Sequence, residues 1–259
     1  PLTGTINQYS LPVGIGADVT IGSGGTYTTL TGTGGLFEAI NNSGLAANIN
    51  AKIISTAIAE PGTFALNTIN YTCGAGPFTL TIKPDAGVAA VLTGTNSNGA
   101  IIKLNGADQV TIDGLNSGGS SLSIINTSTT KTSAVIWLAS ASPSDGATNN
   151  TVKNCIISGA TNSTTLAGIV AGSGVILGEP AEAGNSNNTI QGNTIKTAQN
   201  GIYISGIPAA LDQNWSITAN TIGSAVAAEK LAYRGIFIGS AQNMNVNSNT
   251  IMGVASTSD

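Results

Sequence analysis

The chain has 259 residues, of which 8% are charged, 41% are hydrophobic and 34 are glycine, and its formal net charge is −4. That length buries a sizeable core as one large β domain or two small ones. Eight Lys and Arg spread singly leave no basic footprint for nucleic acid; no apolar run approaches the roughly 18 residues of a membrane span, and the apolar content argues against disorder.

Residues 1–23 are expected to form an N-terminal extension or first strand. The chain begins at Pro1 with no visible signal peptide, so a processed or trimmed product is expected. Residues 24–79 are expected to be a capping region. It holds the one convincing helix, in GGLFEAINNSG (34–44), with Leu36, Phe37 and Ile40 as its apolar face and Gly44 as its stop. Such a helix covers the open end of a solenoid, which otherwise exposes sheet edges.

Residues 80–259 carry a repeat. NNTVKNCIIS (149–158), NNTIQGNTIK (187–196), NWSITANTIG (214–223) and NMNVNSNTIM (243–252) align without gaps, and QVTIDGLNSG (109–118) is a degenerate earlier copy. The anchors Ile112, Val152, Ile190, Ile217 and Val246 are spaced 40, 38, 27 and 29 residues apart. Strands that repeat while loops vary describe a solenoid. A second strand is read between the copies as VIWLAS (135–140), GVILGE (174–179), GIYISG (201–206) and GIFIGS (235–240). With no local hairpin partners, these strands predict an all-β, right-handed parallel β-helix solenoid with an N-terminal cap containing one short helix. Coils then stack about 4.8 Å apart. Asn193, Asn220 and Asn249 occupy one turn position in successive copies. Their amides are expected to form a hydrogen-bonded ladder that ends at Cys155, a small buried free thiol. The asparagines also suit a left-handed turn backbone. The last repeat ends seven residues before Asp259 without a closing cap, so a larger parent protein is expected.

NNTIxxNTI, VTIDGL (110–115) and GGTYTTLTGTGGLFEAINNSG (24–44) resemble secreted bacterial proteins of the pectate-lyase-like β-helix superfamily, especially Asn/Thr/Gly-rich surface proteins of Bacteroidetes-type bacteria. The resemblance spans roughly residues 24–252. It implies an extracellular or cell-surface location and a superfamily containing polysaccharide lyases, glycoside hydrolases, tailspikes and adhesins. Fold does not choose among them.

The superfamily's enzymes imply paired Asp, Gly-His-Gly and basic motifs, or a calcium cluster with a basic residue. This chain has no His, no adjacent Asp pair and a single arginine, Arg234. Asp108, Asp113, Asp145, Glu179, Glu182, Asp212 and Glu229 mostly fall in predicted turns. Asp113 is read as a turn cap before Gly114. Calcium needs 6–8 oxygens, several from carboxylates. Cys73 and Cys155 fall short of zinc's four ligands, and GSGG (22–25) lacks the Lys-Ser/Thr of a phosphate loop. No cofactor, metal or enzymatic activity is therefore expected.

Alternation in the second strand places Ile136, Val175, Ile202 and Ile236, then Leu138, Leu177, Ile204 and Ile238, inward. Trp137, Ile176, Tyr203 and Phe237 then point outward as a stacked apolar column, rimmed by Tyr233 and Arg234. In a chain with only 4% aromatics, this column is the candidate binding face. A non-catalytic adhesive module is expected, binding polysaccharide or another surface protein. The alternatives are a polysaccharide lyase or glycoside hydrolase, and a self-associating fibre subunit.

Overall fold

The computed structural model describes residues 13–71, 76–114 and 121–255. Strand β1 (Val19–Ile21) and helix α1 (Leu36–Ser43) come first. The next strands run β2 (Ile49–Ile53), β3 (Ala57–Ala59), β4 (Leu66–Asn67), β5 (Leu80–Pro84), β6 (Ala90–Gly94), β7 (Gly99–Asn105), β8 (Val110–Asp113), β9 (Leu122–Asn126) and β10 (Ser133–Ser140). They continue with β11 (Thr151–Lys153), β12 (Cys155–Ser158), β13 (Thr165–Ser173), β14 (Thr189–Gln191), β15 (Thr194–Lys196), β16 (Asn200–Ser205) and β17 (Asp212–Gln213). The last are β18 (Ser216–Thr218), β19 (Thr221–Ile222), β20 (Arg234–Gly239), β21 (Ala241–Gln242), β22 (Asn245–Asn247) and β23 (Thr250–Ile251).

Each coil visits three sheets in turn. The first sheet orders β1-β2-β5-β8-β11-β14-β18-β22, the second β3-β6-β9-β12-β15-β19-β23, and the third β4-β7-β10-β13-β16-β20. All pairings between these strands are parallel, as in β11 with β14 and β10 with β13. A coil returning to the same sheet is a parallel crossover, and such crossovers are right-handed. The fold is a right-handed parallel β-helix. Strands of all three sheets are already present in β2, β3 and β4, before residue 80.

The interior is built of aliphatic stacks. Ala51, Ile82, Ile112, Val152, Ile190, Ile217 and Val246 are register partners in the first sheet. Leu92, Ile124, Ile157, Ile195 and Ile222 do the same in the second. Each fully buried aliphatic side chain contributes about 2 kcal/mol. Helix α1 buries Leu36, Phe37 and Ile40 in this core. Gly44 ends it at φ 72°, donating its N–H to the Ile40 carbonyl.

The corner between the first and second sheets is tight because one left-handed residue makes it. Asn154, Gly192, Ala219 and Ser248 hold φ of 57°, 64°, 56° and 55°. The residue that follows is the ladder position, so the left-handed backbone expected of the ladder asparagines sits one residue earlier. Asn193 Oδ1 accepts from Cys155 N at 3.0 Å, Asn220 Oδ1 from Asn193 N at 2.9 Å, and Asn249 Oδ1 from Asn220 N at 3.0 Å. Their Nδ2 groups donate to the carbonyls of Val152, Ile190 and Ile217. Cys155 is buried and free, and desolvation pushes its thiol up to about 12. Cys73 lies outside the described residues. A second ladder, invisible in the sequence argument, joins Asn150 and Asn188: Asn188 Oδ1 accepts from Asn150 N, and Asn150 Oδ1 from Val110 N.

One strand assignment is corrected. The third-sheet strand of its coil is β13, not GVILGE (174–179). Ile169, not Val175, pairs with Ile136 and Ile202, and Ala171 replaces Leu177 between Leu138 and Ile204. Val175 is 82% exposed. Both segments are short, apolar and glycine-flanked; only β13 is long enough to pair along the whole of β10.

Candidate functional site

The outer face of the third sheet carries the predicted column in altered form. Register gives it as Lys103, Trp137, Val170, Tyr203 and Phe237. Ile176 is not in it. It lies in the loop after β13 and is 60% exposed. Trp137 is not an exposed member either, being 4% exposed. It packs with Ala134, Ala139 and Val170, and Leu177 from that loop lies against the same cluster. Small neighbours on either side of Trp137 let the loop settle close to the sheet.

Lys103 was absent from the sequence argument. Its Nζ stands 3.9 Å from the Trp137 ring centroid and donates to the Gly174 carbonyl at 2.7 Å. Desolvation lowers its pKa, opposed by the charge of Glu182. Glu182 is lowered by hydrogen bonds from Ser140, Ser173 and Gly174 N, against the opposing pull of its own desolvation, the largest single influence. Lys103 was legible only as the outward residue one coil before Trp137, and an isolated Lys carries no other signal.

Farther along the column the rings emerge. Tyr203 and Phe237 are both half-buried and stack with centroids 4.6 Å apart at 20°. Arg234 opens β20, is exposed, and places its guanidinium carbon 5.0 Å from the Phe237 centroid. Tyr233, 48% exposed, stands just before it. Tyr203, Phe237 and Arg234 form one open aromatic and cationic platform. No ion pair of Arg234 is found among the described residues.

The connections leading from the third sheet back to the first carry Asp108, Asp145, Glu182 and, at the start of β17, Asp212 in successive coils. Asp108 accepts from Thr148 N and Oγ1 at 2.6 and 2.7 Å. Burial raises its pKa, and the charge of Asp145 adds to that. Asp145 accepts from the Thr68 hydroxyl. Gly106, at φ 70°, makes room for this carboxylate, since a Cβ there would lie 2.7 Å from Asp145 Oδ2. Asp113 has a structural role, paired with Lys153 at 3.2 Å and accepting from Asn154 Nδ2. Glu229 pairs with Lys196 at 2.5 Å. Among the described residues no group of three or more Cys, Asp or Glu is arranged to hold a metal ion, and no helix is long and apolar enough to cross a membrane.

No protein-family model matches this chain, and no curated protein matches it. Two solved structures are similar. One is a pectin methylesterase from Aspergillus niger, 13% identical over 92% of this chain and 87% of that one, with a TM-score of 0.41. The other is an alginate lyase from Paenibacillus sp. str. FPU-7, 13% identical over 93% of this chain and 99% of that one, with a TM-score of 0.38. Both are enzymes by name, and the expectation that this chain is not an enzyme is corrected accordingly. That expectation rested on the absence of His, the absence of an adjacent Asp pair and the single arginine, Arg234. Coiling brings Asp145 near enough to Asp108, 37 residues away in sequence, for its charge to add a minor influence.

Proposed function

We propose that this chain acts on polysaccharide, laying a glycan across the outer face of the third sheet with one sugar ring on the Tyr203–Phe237 platform. The stacked, half-buried pair with the Arg234 guanidinium over the Phe237 ring carries this reading. Because the two rings stack on one another, a sugar meets their edges, an apolar rim on which its C–H groups can pack, and the nearby guanidinium fork supplies directed donors to its oxygens. The reading includes an extracellular or cell-surface setting, where polysaccharide is met.

The Asp108–Asp145 pair favours hydrolysis as the step that follows binding. Glycosidases divide the work between a carboxyl held protonated and a partner carboxylate. Asp108, raised chiefly by burial and less by the charge of Asp145, is the residue read as the acid, with Asp145 as the carboxyl beside it.

The test measures retention and release of new reducing ends on a panel of neutral and acidic polysaccharides. The Tyr203→Ala/Phe237→Ala variant is expected to lose retention about tenfold, the equivalent of roughly 1.4 kcal/mol. Asp145→Asn is expected to retain glycan and release nothing. Retention that survives loss of both rings removes the platform. Product formation undiminished in Asp108→Asn and Asp145→Asn removes the hydrolytic step.

A further inference from the structure

The two ends of the solenoid differ. At the first, Val19 and Ile21 of β1 are buried, as are Leu30, Leu36 and Phe37 from the connection after it and from α1. The core is closed there. Its edge is also marked by charge: Asp18, just before β1, accepts from Asn50 N at 2.8 Å and pairs with Lys52 at 3.6 Å.

At the other end, β20, β22 and β23 are the edge strands of the three sheets. Val246 and Ile251 continue the interior stacks of Ile217 and Ile222. Ile217 and Ile222 are fully buried, whereas Val246 and Ile251 are 45% and 50% exposed. Ile236 and Ile238 continue the stacks of Ile202 and Ile204 and are only half-buried. Met252 and Val254 add to the exposed apolar surface. Proteins that keep such an edge free blunt it with charges, proline or a bulge. Residues 235–255 contain no Asp, Glu, Lys, Arg or Pro.

We propose that this open end is a homodimer interface, docking the same end of a second copy about a two-fold axis with Val246 and Ile251 at its centre. The face suits itself. The chain carries a net charge of −4, so two copies repel in most orientations, and the uncharged last coil is where they meet without like-charge contact. The exposed Asn243, Asn245 and Asn247 flank Val246 with amides that hold both donors and an acceptor, so each can pair with its own kind. Residues 235–255 number 21, which matches the roughly 20–30 residues a side of an interface burying about 800 Å² per partner. Stacking into a fibre needs two open ends. With one end closed, association through this face stops at two copies. The proposal uses the end of the solenoid and does not depend on the glycan reading.

Sedimentation equilibrium of the full chain, from about 1 to 100 µM, reads the association directly. The mass is expected to rise from 25.6 kDa toward twice that value and no further. Val246→Lys/Ile251→Lys sets like charges at the centre of the face and is expected to weaken association at least about tenfold. Both side chains are exposed in the single copy, so the variant keeps its fold. Val246→Ser, which adds no charge, is expected to weaken association about threefold. Val13→Lys, at a position 85% exposed near the closed end, is expected to change nothing. A mass that stays at one copy throughout overturns the proposal, and is the result if this end seats a different partner. Masses that climb past two copies overturn it as well. So does association undiminished in the double variant, or diminished as much by Val13→Lys.

Discussion

Lys103 Nζ stands 3.9 Å from the Trp137 ring centroid and is held there by the Gly174 carbonyl at 2.7 Å. The contact ties β7, β10 and the loop after β13 together at one point. Lys103→Met keeps the aliphatic stem and removes both interactions. The expected loss is about 1–3 kcal/mol in urea unfolding. A change below about 0.5 kcal/mol would mean that the cost of burying the ammonium cancels what it gains there.

Asp212 is fully buried, accepts from Asn185 N at 2.8 Å through Oδ1, and leaves Oδ2 without a partner among the described residues. Burial raises its carboxyl to about 7 from 3.8, against the smaller opposing effect of the Asn185 bond. The folded state therefore binds more protons than the unfolded state between those values. Its stabilising contribution is complete below about pH 3.8 and is lost as pH rises through about 7, by at most roughly 4 kcal/mol. Asp212→Asn removes the titration and supplies an amide donor, as Asn185 does when its Nδ2 donates to the Gly172 carbonyl. At pH 8 the variant is expected to be the more stable protein, and its advantage to shrink as pH falls toward 4. Parallel stability curves for the two proteins would refute the assignment.

Asn220 sits inside the ladder and Asn249 follows it. Asn220 Oδ1 accepts from both Asn193 N and Nδ2, and its own Nδ2 reaches the Ile190 carbonyl and Asn249 Oδ1. Asn220→Ala strands the Asn193 N–H and the Ile190 carbonyl in the interior, so about 2–4 kcal/mol is expected to be lost. Asn249 is only partly buried, and water can replace its bonds. Asn249→Ala is expected to cost about 1 kcal/mol. Equal losses would show that burial does not grade the ladder.

Ala219 is an exposed alanine at φ 56°, where the equivalent corners use Asn154, Gly192 and Ser248. Left-handed backbone costs a residue with a Cβ roughly 1–2 kcal/mol. Ala219→Gly removes that strain and loosens the unfolded chain, so a net gain of about 0.5–1 kcal/mol is expected. Thermal unfolding checks it, and a lower melting temperature would contradict it.

The Cys155 thiol is buried, and its pKa is pushed up to about 12. Thiolate is the reacting form, so native protein is expected to leave Cys155 unmodified by iodoacetamide at pH 8, while urea-unfolded protein reacts. Mass measurement of the Cys155 peptide distinguishes it from Cys73. Rapid native labelling at Cys155 would show that its coil opens readily.

Much of the fold was legible in the chain itself. The helix over Leu36, Phe37 and Ile40 showed its apolar face, and the aliphatic stack Ile112–Val152–Ile190–Ile217 and the Asn193–Asn220–Asn249 row recur at the same place in each copy. The stack and the row recur because a parallel solenoid places equivalent residues directly above one another, and each level must satisfy the same packing and hydrogen bonds as the last. The surface escaped this logic. GVILGE and AGIVAG are equally strand-like as strings, and only lateral pairing with β10 and β16 chose the second. Trp137 and Tyr203 occupy the same outward row, yet a loop of non-repeating length covers one and leaves the other half open. Asp145 acts on Asp108 electrostatically only because coil lengths bring their turns near one another. By itself the sequence determined what stacks inside the first and second sheets, since burial repeats with every coil; tertiary structure decided which segment of one coil fills the third sheet and what meets outside, since loops obey no period and their resting places are set by the surfaces they find.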